Sequence, residues 1–156
     1  MKMKNFSKLL LTMFIVTAAI IALNACNKDD DNKPKNMFDF SASINAAQET
    51  PPTGESGTGT CTATYDSITN ALSYTLTWNG LTSAPTAMHF HKADVGVPGD
   101  VEIPITGFAA SADGTLTASA TVDQEEEHDL LEGKFYVNIH TAAHPGGEIR
   151  GQLLQK

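Results

Sequence analysis

Basic residues are scarce in this chain. Lys and Arg number 10 against 18 Asp and Glu, a net charge of −8. Nucleic acid is excluded as a partner, because holding phosphates requires a basic patch. Cysteine is scarcer still. Cys26 and Cys61 are the only two among 156 residues, too few for a disulfide-built scaffold. A run long enough to span a membrane is missing: the longest, Leu9 to Leu23, falls short of the roughly twenty apolar residues a span needs. No Gly-x-Ser-x-Gly elbow and no phosphate-cradling loop occurs, so nothing points to a hydrolase or an organic cofactor, and no catalytic residue is assigned. What remains is a globular balance, 41% hydrophobic and 18% charged, which excludes wholesale disorder.

The first 25 residues read as an address. Lys2, Lys4 and Lys8 precede the apolar run, whose only polar members are Thr12 and Thr17. That order is the layout of a secretory signal. The run ends in Leu23-Asn24-Ala25-Cys26, which resembles a bacterial lipobox. The resemblance implies cleavage before Cys26 and lipidation of its thiol; an ordinary signal peptide or an uncleaved anchor is the alternative. The mature chain then has seven basic and eighteen acidic residues, a net charge of −11, so its membrane contact must come from the lipid. Residues 26–37 form a charged tether. The Lys28-Asp29-Asp30-Asp31 start resembles the acidic export signal of surface lipoproteins in the Bacteroidetes. The expected location is the cell envelope, as an outer-membrane lipoprotein facing either the surface or the periplasm; a plain solvated linker is the alternative for the acidic start.

From Phe38 to Lys156 the pattern has period two. Phe38, Phe40, Ala42 and Ile44 alternate with polar residues, as do Cys61 to Tyr65, Leu72 to Trp78, Met88 to His91, Val101 to Ile105, Leu116 to Val122, Phe135 to His140 and Ile149 to Leu153. Turn residues separate these runs. One-sided alternation predicts antiparallel sheets with one face in the core and one in water. The expectation is an all-β, immunoglobulin-like or Greek-key sandwich or barrel of about eight strands. One segment breaks the period: Asp123 to Gly133 predicts a short helix, capped by Asp123 with Glu126 three residues on and stopped by Gly133.

Histidine carries the chemistry. His89 and His91, at i and i+2 on one strand, share a face opposite Met88 and Phe90. His140 shares its strand face with Tyr136 and Asn138, opposite Phe135, Val137 and Ile139. If the two strands are neighbours, three imidazoles converge, a donor set that suits copper or zinc. His144 follows as a candidate fourth ligand or gate, and Asn138, Glu148 and Arg150 as candidate rim residues. Glu148 and Arg150, two apart, are expected to share a face and engage in cross-strand ion pairing. The alternative for all the rings is plain hydrogen bonding between strand neighbours. His128, among acids on the helix, reads as solvated.

Three stretches, Met88-His89-Phe90-His91-Lys92-Ala93-Asp94-Val95-Gly96, Phe135 to Thr141, and His144-Pro145-Gly146-Gly147-Glu148-Ile149-Arg150-Gly151-Gln152-Leu153, resemble the CHRD domain, the module repeated in chordin and found singly in microbial proteins. The resemblance covers Phe38 to Leu153 and implies an immunoglobulin-like β-barrel distantly similar to copper/zinc superoxide dismutase. In those dismutases a His-x-His and a later His hold copper, the order of His89, His91 and His140 here. No histidine lies between His91 and His128, so the bridging histidine and zinc loop have no counterpart. Three readings follow: a lipid-anchored binding module taking copper or zinc, a dismutase-like redox enzyme, and an adhesion or structural module without metal. A protein partner is not identified by the sequence.

Overall fold

The computed structural model describes residues 36–156. The signal segment, Cys26 and the tether up to residue 35 lie outside the described residues.

Among the described residues, nine strands and one α-helix follow in chain order. They are β1 Met37–Asn45, β2 Thr58–Asp66, β3 Ala71–Asn79, β4 Pro85–Lys92, β5 Asp100–Ile105, β6 Gly114–Thr121, α1 Gln124–Leu131, β7 Phe135–Thr141, β8 Ile149–Gln152 and β9 Leu154–Gln155. The expected runs are all strands, mostly a residue or two longer than the alternation marked. A 3-10 helix, Ala46–Gln48, and the two-residue β9 were not expected.

Every pairing is antiparallel. One hydrogen-bonded path runs β5-β4-β7-β8-β1-β2-β3-β6, with β9 alongside β1, and it curls into a nearly closed barrel. The all-β expectation with one short helix therefore holds. Inside, Phe40, Ile44, Leu72, Leu76, Trp78, Met88, Phe90, Phe135, Val137, Ile139 and Ile149 form one buried cluster. Each large side chain withdrawn from water contributes about 1.5–3 kcal/mol. Tyr74 meets Phe90 edge to face at 5.1 Å, joining β3 to β4 across the core. The Trp78 indole N–H donates to Ser111 O at 2.9 Å, so its one polar atom is satisfied.

On β2, β3 and β6 the alternation behaves as expected. Their outward residues are Thr and Ser, and neighbouring hydroxyls bond across strands, Thr60 to Thr77 at 2.7 Å and Thr75 to Thr117 at 3.1 Å. On β7 and β8 it does not. All seven residues of β7 and all four of β8 are buried, on both faces. The expected wet face carrying Tyr136, Asn138, His140, Arg150 and Gln152 is covered by loops. The 93–99 segment is drawn over it by hydrogen bonds from Arg150 and Gln152 to backbone carbonyls. The 142–147 turn covers its other end, through His140 Nδ1 to Pro145 O. A period-two pattern with polar outer residues marks a surface only while nothing folds back over it.

The helix forms as expected. Asp123 accepts from the N–H groups of Glu125 and Glu126, and Glu126 reaches back to the Asp123 N–H, a reciprocal cap. Gly133 adopts φ +73°, the left-handed residue just past the last turn. Leu130 is fully buried and Leu131 packs against the core. Lys134 clamps Asp129 and Glu132 at 2.9 and 2.8 Å, and Lys92 joins Asp129 to Glu102 of β5.

Candidate metal centre

Strand β4 lies between β5 and β7, and the β4–β7 register aligns His89 with Asn138, His91 with Tyr136 and Ala87 with His140. Since Met88 and Phe90 point into the core, His89 and His91 point outward, to the side where His140 emerges from β7. Opposite the Phe90–His91 step, β5 inserts an extra residue, Glu102, and the ladder shifts register.

The three rings meet. Ring centroids stand 5.4 Å apart for His89 and His91, 5.0 Å for His89 and His140, and 5.9 Å for His91 and His140. One ring nitrogen from each lies within 4.8 Å of the other two. His89 Nδ1 and His140 Nε2 are in direct contact at 3.1 Å.

Carbonyl oxygens only accept, and this fixes the protons. His91 Nδ1 faces Gly99 O at 3.0 Å, and His140 Nδ1 faces Pro145 O at 3.0 Å. Both Nδ1 atoms therefore carry hydrogen, and both Nε2 atoms carry lone pairs. His89 Nδ1 must then donate to His140 Nε2. His91 Nε2 is left buried, with no partner. Burial holds all three rings below the ordinary imidazole range; the Arg150 cation pushes His91 further down, and the rings would repel one another's protonated forms, His91 acting on His89 and the two β4 rings on His140. At neutral pH the cluster is three uncharged imidazoles.

Tyr136 supports this arrangement. Its ring stacks on His91 from the β7 side, 5.0 Å between centroids and 10° between planes, and its hydroxyl accepts from Gly99 N at 2.9 Å. The Arg150 guanidinium lies 3.5 Å from the Tyr136 centroid, reached from β8. The alternation had placed Tyr136 on the same face as His140, which was the available signal for it.

The remaining expected residues divide. His144 does not join the cluster; its Nε2 bonds Glu55 Oε1 at 3.0 Å, because the 142–147 turn presents the Pro145 carbonyl to His140 instead. Glu148 and Arg150 do not pair with each other. The fully buried Glu148 carboxylate accepts from Thr82 N at 2.8 Å and from the hydroxyls of Thr82 and Thr141, which places it among neutral donors. Arg150 instead bonds Val97 O, Asp94 O and Gln152 Oε1. Asn138 sits beside the cluster, its amide donating to Gly146 O at 3.4 Å and its Oδ1 unpartnered. His128 is exposed and groups with Asp129 and Glu132, whose ion pairs with Lys134 and Lys92 account for them. Sequence reasoning missed Glu49, a carboxyl buried in the loop after the 3-10 helix, where no local pattern signals burial.

The donor set suits a metal ion. A tetrahedral ion with bonds of about 2.0–2.1 Å holds its nitrogens roughly 3.3 Å apart, close to the His89–His140 contact. A buried, unpartnered imidazole lone pair is unfavourable unless something fills it. The molecule thus belongs to the class of antiparallel β-barrels bearing a histidine cluster on an outer face beneath their loops. A family model for the CHRD domain matches residues 40–153, and the chain belongs to that family. No curated protein and no solved structure matches it.

Proposed function

We propose that this chain is a lipid-anchored binding module of a bacterial cell envelope that takes one copper or zinc ion through His89, His91 and His140. The observation that carries the reading is His91 Nε2, a buried atom bonded to nothing, on a ring whose centroid stands 5.4 and 5.9 Å from those of His89 and His140. Family membership and the cluster support a binding role. The envelope location rests on the lipobox-like Leu23 to Cys26. When bound, the ion would supply Lewis acidity or, as copper, one-electron chemistry. The chain's own part is to keep His91 and His140 oriented through their Nδ1–H bonds to Gly99 O and Pro145 O. His89 would shift its proton from Nδ1 to Nε2, which would free the cluster's third lone pair.

Metal analysis of the purified mature chain, with Cys26→Ser so that the Cys26 thiol does not compete, tests this. One equivalent of copper or zinc is expected in the wild type and in His144→Ala. Uptake should vanish when His89, His91 and His140 are all changed to Ala. No uptake by wild type, or equal uptake by the triple variant, returns the rings to a structural role. Superoxide turnover by the copper-loaded chain, lost in the same variant, would make it a redox enzyme. Incorporation of a palmitate analogue at Cys26 in cells, lost in Cys26→Ala, checks the anchor.

A further inference from the structure

On the outer face of β7 and β8, beyond the Tyr136 ring, a second polar arrangement stands apart from the histidines. Arg150 is 3% exposed, and no carboxylate lies within ion-pair distance of it among the described residues. Its Nη1 donates to Val97 O at 2.9 Å and its Nη2 to Asp94 O at 3.2 Å and Gln152 Oε1 at 3.3 Å. Its Nε has no hydrogen-bond partner among the described residues. Glu49, 7% exposed, attracts Arg150 through space without touching it, and its Oε1 is sealed from water and unpartnered. Both residues line a cavity of about 230 Å³, with Gln48, Thr50, Gly96 and Gln152 among its walls. A buried cation and a buried carboxyl that share a cavity yet stay apart leave a gap with one charge to neutralise.

We propose that this cavity is a second binding site, which takes a small monocarboxylate between Arg150 and the protonated carboxyl of Glu49. The ligand's oxygens accept from the free Arg150 Nε–H and from the Glu49 O–H, so that the only net charges in the cavity are one guanidinium and one carboxylate. A dianion would bring a second negative charge that nothing there offsets. Burial raises the Glu49 carboxyl to about 7, opposed by the Thr50 N–H, Arg150 and His144, so the proton it needs is present below neutrality. The groups facing Glu49 are Arg150 from β8, the neutral Asn138 from β7, and His144 from the 142–147 turn, which pairs with Glu55. Asp94 presents only its carbonyl to Arg150. The proposal does not rest on the metal reading, since none of the three histidines lines the cavity.

Sodium acetate is the probe. It is titrated into the mature chain at constant ionic strength, and the Arg150 Nε–H resonance is followed by NMR at pH 6 and pH 8. Saturable binding is expected, about tenfold tighter at pH 6, as Glu49 passes from mostly protonated to mostly ionised. Glu49→Gln should bind equally at both pH values, whereas His144→Asn should keep the wild-type ratio. The triple histidine variant should bind acetate unchanged, which separates failure here from failure of the metal site. A shift that does not saturate, or a pH ratio that survives in Glu49→Gln, overturns the proposal.

Discussion

An imidazole whose Nδ1–H is tied to a carbonyl has only Nε2 left to offer, and two of the three clustered rings are in that state. His89 alone must change tautomer on binding. Its ¹⁵N signature is expected to switch from the Nδ1–H to the Nε2–H form on zinc addition, while His91 and His140 keep theirs. Because burial depresses all three rings, the folded state binds fewer protons than the unfolded one below the usual value of 6.5. Their contribution is present above that value and is lost as pH falls through the depressed ones. Glu49 works the other way. Its carboxyl is raised from 4.5 to about 7, so its contribution is held below 4.5 and lost as pH rises to about 7. Denaturant unfolding at pH 5 and pH 8 should show Glu49→Gln more stable than wild type at pH 8, by about 2 kcal/mol, with little difference at pH 5. Gly147 belongs at this scale too. Its φ is +127°, and a Cβ there would lie 2.4 Å from Asn138 Oδ1 and 2.6 Å from Glu49 Oε1. Gly147→Ala is expected to destabilise by about 1–3 kcal/mol, read as a lowered unfolding midpoint.

Among the elements, α1 was the most legible, because its signals are local: Asp123, Glu126 and Gly133 lie within one short segment and each acts on its own backbone. Removing the cap in Asp123→Ala should lower stability by about 1 kcal/mol without touching metal uptake. The strands were legible for a similar reason, since period two is written residue by residue. The meeting of β4 with β7 was not, because 42 residues separate Lys92 from Phe135 and no local pattern encodes that pairing. Alternation could put His89 and His91 on one face and His140 on another; their convergence stayed conditional on the strands being neighbours, which the β4–β7 register supplies. The same gap explains His144, Glu148 and Arg150. Their partners, Glu55, Thr82 and the 94–97 carbonyls, come from loops remote along the chain.

At the scale of the whole barrel, protection is uneven. The buried strand β7 sits in the interior of the sheet path, whereas β6 ends it and alternates partly buried with exposed residues. Amide exchange should be slowest along β7 and fastest along β6. Cys61 is fully buried, and burial pushes its thiol up to about 12. A thiol reagent should therefore label it only on global unfolding, and mature chain carrying Cys26→Ser should show no fast-reacting thiol. That β7 is sealed on both sides has a further consequence for descent. A one-residue deletion within Phe135–Thr141 would exchange its two faces, sending aliphatic side chains among the rings and His140 into the interior. A lineage cannot shed the histidine cluster by such a slip and keep its barrel. Replacing imidazoles one codon at a time would retire the cluster and leave the barrel's faces in place.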